Sequence, residues 1–236
     1  MHQQFAGRHI VVTGGTGSLG SAVVGRLIES GAVCHIPCYD PRELENFELA
    51  GHERVHVNQG VDLEDEELAE SYYAQIPELW ASIHCTGGFS MSELVQTSLD
   101  SFQSQFVLNA VTCFLCCREA VKRIRGNGGE GGRLVNVAAR PALEPRIGAG
   151  MAAYTAAKSV VVALTQSLGE ELAGEGIWVN AVAPSVMDTP ANRRSMPSAD
   201  HSKWPSVAAV AETIVFLASP SNQSTRGAVV PVYGRA

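Results

Sequence analysis

Residues 13–20 read Thr-Gly-Gly-Thr-Gly-Ser-Leu-Gly, set between a short apolar run that starts near His9 and ends at Val11-Val12 and an amphipathic run that ends near Ser30. A strand that turns into a helix through glycines constrains the fold more than any other stretch of this chain. Residues without a Cβ let the backbone bend sharply and approach a pyrophosphate, and the first N–H groups of the following helix, at its positive dipole end, face the phosphates. The spacing marks Gly14, Gly17, Ser18, Leu19 and Gly20 as candidate cofactor-binding residues.

The same alternation runs to the C-terminus. Further strands are predicted at 33–36 (ending around Cys38, Tyr39 and Asp40), from Val55, and at 79–85, 134–137, 178–182 and 228–232, with helices over 99–125, 151–172 and 206–218. With no repeat, linker or composition break in 236 residues, the expected fold class is α/β: a single-domain Rossmann-type doubly wound parallel sheet with helices on both faces, spanning residues 1–236. Ligands of such sheets bind beyond the carboxyl ends of the strands. Gly14, Thr86, Gly87, Ala139 and the stretch from Pro184 through Val186 to Thr189 all follow predicted strands and therefore gather at that edge. Residues 188–205, with three prolines and little periodicity, read as a loop leaving this edge and as a substrate lid.

Composition removes several classes of partner. Hydrophobic residues make up 45% and charged ones 17%, with a net charge of −7 and dispersed Lys and Arg, so neither nucleic acid nor an anionic membrane is expected. No apolar run reaches 18 residues and no leader is evident, which predicts a soluble cytoplasmic protein. The six cysteines read as small buried hydrophobes of a reducing compartment. Cys113 and Cys116 form a C-x-x-C, but mid-helix and without a second ligand pair at zinc spacing. The string from His52 to His56 matches H-E-x-x-H, yet Val55-His56-Val57 alternates as a strand, which would hold the two histidines roughly 13 Å apart at about 3.3 Å per residue. No metal site is expected.

Tyr154 and Lys158 stand four apart in a long alanine-rich helix and share one face. An ammonium beside a phenol favours the phenolate, so the expectation is a tyrosine whose pKa falls from about 10 toward neutrality, ready to pass a proton. Asn109 lies in the middle of an apolar helix, where a buried amide must brace backbone groups or hold a water.

On these residues, taken in order, the chain resembles the short-chain dehydrogenases/reductases across nearly its whole length. Residues 13–20 correspond to the family's glycine turn, Asp62 and Leu63 to its adenine contact, Asn109 to its mid-helix asparagine, Tyr154 and Lys158 to its Y-x-x-x-K, and 184–189 to its nicotinamide-side motif. The resemblance implies an oxidoreductase using NAD(P)(H) on a small-molecule substrate. In it Tyr154 gives the proton, Lys158 tunes that tyrosine and holds the nicotinamide ribose, Asn109 supports a water relay, and Pro184, Val186 and Thr189 grip the carboxamide. It also implies a homodimer or homotetramer through helices 99–125 and 151–172.

Gly17 and Tyr39 stand where NADP-preferring members carry bases, which favours NADH, with Arg42 the nearest cation and Asp40 the nearest acid. Three departures stand out: Ser18 replaces the middle glycine, Cys38 offers no charge at the ribose position, and alanines at 138 and 139 replace the serine that polarises a substrate carbonyl. The dihydropteridine reductase branch shares the alanine, the G-x-x-G-x-x-G turn and the lid string over 188–200. The expected function is hydride transfer to an electron-poor C=N or C=O acceptor, a quinonoid dihydropterin foremost. The alternatives are an ordinary ketone or ketoacyl reductase or alcohol dehydrogenase, or a weakly catalytic NAD(P)-sensing protein.

Overall fold

The computed structural model describes residues 3–236. Seven parallel strands form one sheet in the order β3-β2-β1-β4-β5-β6-β7, with β1 at His9–Thr13, β2 at Val33–Cys38, β3 at Val55–Gln59, β4 at Leu79–His84, β5 at Gly132–Val137, β6 at Ile177–Pro184 and β7 at Val229–Val232. The order reverses between β1 and β4, so the crevice of a doubly wound sheet opens at the carboxyl ends of those two strands.

Both faces are covered, which is why the central strands are apolar on alternate and intervening positions alike. Helices α1 (Ser18–Glu29) and α8 (Val207–Ala218) pack over Ile10, Val12, Ile36, Ala81 and Ile83. On the other face α2 (Glu66–Ala74), α4 (Thr112–Arg125) and α6 (Ala152–Glu171) cover Val11, Leu79, Leu134 and Val179. Asp65 caps α2 by accepting from Leu68 N, and the acids at its start sit where the helix dipole favours them.

The amino ends of the strands are closed by a buried arginine. Arg133 of β5 donates to the carbonyls of Gly132, Ser219 and Asn222 and stacks on Trp80 and Trp178. Burial brings its pKa down to about 10, and carbonyl oxygens rather than a carboxylate offset the loss of water.

Two regions differ from the sequence expectation. The helical segment after Leu99 is continuous but not uniform: α3 (Leu99–Phe106) passes through one π-helical turn at Val107–Val111 into α4. The segment expected as an irregular lid instead folds a short helix, α7 (Pro190–Ser195), because Thr189 caps it and Pro190 takes its first position, where a missing N–H costs nothing. Asn192 ties α7 back to the Met187 carbonyl at 2.8 Å, and Arg193 pairs with Asp188. His52 lies in a turn before β3 and His56 within it, as the alternation of Val55-His56-Val57 requires. Among the described residues no helix is long and apolar enough to cross a membrane.

Candidate active site

A crevice of about 650 Å³ opens over the ends of β1, β2 and β4. Of the candidate residues, Gly14, Gly17, Ser18, Tyr39, Asp62, Leu63, Thr86 and Gly87 line it. Leu19 and Gly20 are buried behind it in the first turn of α1. A Cβ on Gly14, at φ +61°, would come within 2.9 Å of Thr86 N, and one on Gly20 would overlap the Gly14 carbonyl oxygen, so two glycines are fixed by the turn's own packing. Gly17 is different: it begins α1 with no side-chain cap, and no acid occupies the first turn. The free N–H groups and the dipole there are left for an anion, and the residues present thus fit the phosphates of a dinucleotide.

Asp62 accepts from Glu64 N at 2.9 Å, which fixes its own turn at the crevice rim. At the tip of β2 the pairing is local: Arg42 forks onto Asp40 at 2.9 Å and 2.5 Å, holding that carboxyl down at about 2, and Cys38 points its thiol at the Asp40 carbonyl. Glu43 reaches into the crevice on a 3-10 turn (Pro41–Asn46) and accepts from the Thr16 hydroxyl. Sequence reasoning missed Glu43, although an Asp cap, a Pro at the first position and a Glu at the third were a readable helix-start signal.

The glycines after β4 also leave space for the side chains packed around them. A Cβ on Gly87 would meet Asn109 Oδ1 at 2.7 Å and Lys158 Nζ at 3.2 Å, and one on Gly88 would meet Leu108 Cδ2 at 2.5 Å. Their missing side chains make room for the residues behind them. Asn109, in the π-helical turn, donates to the carbonyls of Gly88 and Gln105, both at 3.0 Å, and accepts from Gly88 N at 3.2 Å. Of the two roles open to a buried asparagine, bracing the backbone is the one observed.

Tyr154 and Lys158 sit on α6 as their spacing requires, but their electrostatics depart from expectation. Lys158, buried, donates to the Val137 carbonyl at 2.8 Å. Burial brings its pKa down to about 8, with Cys113 and Cys85 opposing the fall. Burial pushes the Tyr154 phenol up to about 12. The expected lowering fails because the lysine stem carries the ammonium inward to β5, and desolvation of the phenolate dominates. The Tyr154 ring stands edge-on to the exposed Phe89, centroids 5.0 Å apart at 86°.

Ala138 and Ala139 follow β5 directly and lead into the short helix α5 (Arg140–Leu143), and both are buried. Pro184 closes β6, Val186 is exposed beyond it, and Thr189 is buried with its hydroxyl oxygen accepting from Asn192 N at 3.2 Å. Those three, with Tyr154, lie outside the walls of the 650 Å³ crevice.

Comparison with known proteins identifies the family and matches the fold. Residues 8–200 match the short chain dehydrogenase family. The chain is 32% identical over 193 residues to a 2-dehydro-3-deoxy-L-rhamnonate dehydrogenase (NAD(+)) of Sphingomonas sp. (strain SKA58), covering 79% of this chain and 75% of the relative. It is 29% identical over 189 residues to the 2,3-dihydro-2,3-dihydroxybenzoate dehydrogenase of Escherichia coli (strain K12), covering 80% and 73%. Among solved structures, a short chain dehydrogenase/reductase family protein superposes with a TM-score of 0.89 at 24% identity over 98% of this chain and 97% of that one. ElxO with NADP bound does so at 0.87 and 21% identity, over 97% and 98%. The glycine turn, the tyrosine-lysine helix and the family match over residues 8–200 lead to one conclusion: the chain belongs to the short-chain dehydrogenases, oxidoreductases that work with a nicotinamide dinucleotide.

Proposed function

We propose that this oxidoreductase reduces a flat, electron-poor C=N or C=O acceptor, a quinonoid dihydropterin or similar heterocycle, with NADH. The observation that carries the reading is the aromatic neighbour of Tyr154: the exposed ring of Phe89 has its centroid 5.0 Å from that of the phenol, and the sequence has alanine at 138 and 139, where the resemblance to the family implies a hydroxyl donor. Loss of one oxyanion donor costs a simple ketone reductase about 3 kcal/mol of barrier. An electron-poor heterocycle needs that donor less, and a flat ring stacks on Phe89.

When bound, the dinucleotide supplies a hydride equivalent at its nicotinamide ring. The free N–H groups at the start of α1 hold its phosphates, Asp62 and Leu63 flank the adenine, Lys158 holds the nicotinamide ribose, and Pro184, Val186 and Thr189 hold the carboxamide. Tyr154 stays protonated at neutral pH because burial raises it to about 12, so it enters the reaction as a proton donor, which suits reduction. Asn109 fixes Gly88 and so the loop that carries Phe89, and its carbonyl oxygen lies on the Lys158 side of Gly87, where a water relay would start. The segment 188–205 closes over the acceptor. Glu43 in the crevice disfavours a 2'-phosphate and supports NADH over NADPH. Exposed Leu99, Phe102 and Phe114 on α3 and α4 support a homodimer or homotetramer.

The two similar dehydrogenases favour a second reading, oxidation of a hydroxyl group on a small acid or ring. A panel decides. NADH consumption driven by quinonoid dihydropterin and lost in Tyr154→Phe supports the first reading. Turnover of ketones or alcohols with none of the pterin replaces it with the second. Ala139→Ser should raise ketone turnover at least tenfold, and unchanged ketone turnover refutes the steering role of the missing hydroxyl.

A further inference from the structure

On the face of the sheet covered by α4, His84 Nδ1 and the sulfurs of Cys113 and Cys117 converge within 4.8 Å of one another. His84 is the last residue of β4, and the cysteines stand four apart on α4, so both thiols face the strand. All three residues are buried. We propose that these three side chains, with the Asn136 carbonyl oxygen, form a binding site for one thiophilic d10 cation, zinc(II).

The distances fit. Tetrahedral zinc with bonds of about 2.3 Å to sulfur and about 2.0–2.1 Å to nitrogen or oxygen sets sulfur about 3.5–3.6 Å from either. Cys117 Sγ lies 3.6 Å from His84 Nδ1 and 3.5 Å from Asn136 Oδ1. The edge between His84 Nδ1 and Asn136 Oδ1, 2.7 Å, must open on binding.

The outer partners also fit. Asn136 Nδ2 donates to Thr165 Oγ1 at 2.9 Å, which turns its oxygen toward the cluster. His84 Nε2 lies 2.8 Å from Ser82 Oγ, the second partner that fixes the tautomer and ring of a metal-bound histidine. Two thiolates neutralise the dication, so the buried site carries no net charge. Magnesium and calcium demand more oxygen ligands than the cluster has.

Binding forms two Zn–S bonds, one Zn–N bond and one Zn–O contact. The two thiol protons leave to solvent, the imidazole proton moves from Nδ1 to Nε2 and is donated to Ser82, and no electron is transferred. Affinity therefore rises with pH.

The test is binding to the full, metal-stripped chain, which stands independently of substrate and turnover. Cadmium(II) should give a saturating thiolate charge-transfer band at one equivalent per chain, and zinc(II) should compete with it and raise the thermal midpoint. Cys113→Ser and Cys117→Ser should each weaken zinc binding at least tenfold, and Cys116→Ser should leave it unchanged. X-ray absorption on the wild-type zinc form should show two sulfurs and one imidazole in the first shell, which decides the matter even where a serine variant fails to fold. No saturable binding, a shell of nitrogen and oxygen alone, or an equal loss in Cys116→Ser would overturn the proposal.

Discussion

Lys158 Nζ donates to the Val137 carbonyl oxygen at 2.8 Å, so the lysine rests on the end of β5 rather than on the phenol one turn before it. Its pKa, about 8 in the fold, lies below the ordinary 10.5. The unfolded chain therefore binds the extra proton between those values, and stability rises as pH climbs from 8 to 10.5. At neutral pH the buried ammonium therefore costs stability. Lys158→Met should raise the free energy of unfolding at pH 7 by about 1 kcal/mol or more, with the gain vanishing above pH 10.5, and cut kcat/KM by roughly 100-fold or more. Chemical denaturation at several pH values, beside steady-state kinetics, checks both halves.

Three of the four glycines of the turn, Gly14, Gly17 and Gly20, should separate experimentally. Gly20→Ala and Gly14→Ala each force a Cβ into backbone, at the Gly14 carbonyl and at Thr86 N respectively, and Gly14 also has a φ of +61°. Each should destabilise by about 2–3 kcal/mol or more. Gly17→Ala meets only the Gly14 oxygen at 3.4 Å and should melt within a few degrees of wild type. A thermal series of the three variants reads this directly, and a Gly17→Ala that melts as low as Gly20→Ala would contradict it.

A histidine ladder sets the acid limit. His9, His35 and His56 stack across β1, β2 and β3 with neighbouring ring centroids 5.1 Å apart, and His9 Nδ1 lies 2.8 Å from His35 Nε2. Burial, reinforced by His9 and His56, pulls His35 down to about 4 from 6.5, while Glu78 on the far side of His9 partly offsets the fall there. The folded state resists a proton that the unfolded chain accepts, so stability should drop as pH falls from 6.5 to 4. His35→Phe should flatten that slope in urea melts. An unchanged slope would remove the ladder from the acid limb.

Cofactor choice should turn on Glu43, which shares the crevice with Thr16 and Tyr39. Glu43→Gln should lower KM for NADPH several-fold with little change for NADH, because a carboxylate no longer faces the 2'-phosphate. Initial rates with the two cofactors, and a tenfold wild-type preference for NADH, are the expected outcome.

The order of strands, the glycine turn and the Tyr154 helix were legible because each rests on a local period or a backbone requirement. The His52–His56 decoy was legible for the same reason. What escaped was set by approach between distant segments. The 3-10 turn that brings Glu43 into the crevice adds a carboxylate to its wall, and burial of Tyr154 reversed the sign of its pKa shift. The Cys113 and Cys116 spacing did not show which thiols share a face: the helix places Cys117 beside Cys113, and His84 arrives from β4, 29 residues earlier in sequence than Cys113.

The π-helical turn at Val107–Val111 amounts to a single inserted residue in an otherwise regular helix. Deleting one residue there would restore regular geometry and strengthen the helix, yet each residue turns a helix by about 100°, so the two halves could no longer both keep their faces. Either Asn109 would leave Gly88 or α4 would withdraw its apolar stripe from β4. The irregularity is thus a gear between two phases, one set by the core and one by the site, and a lineage that lost the chemistry would be free to lose the extra residue with it.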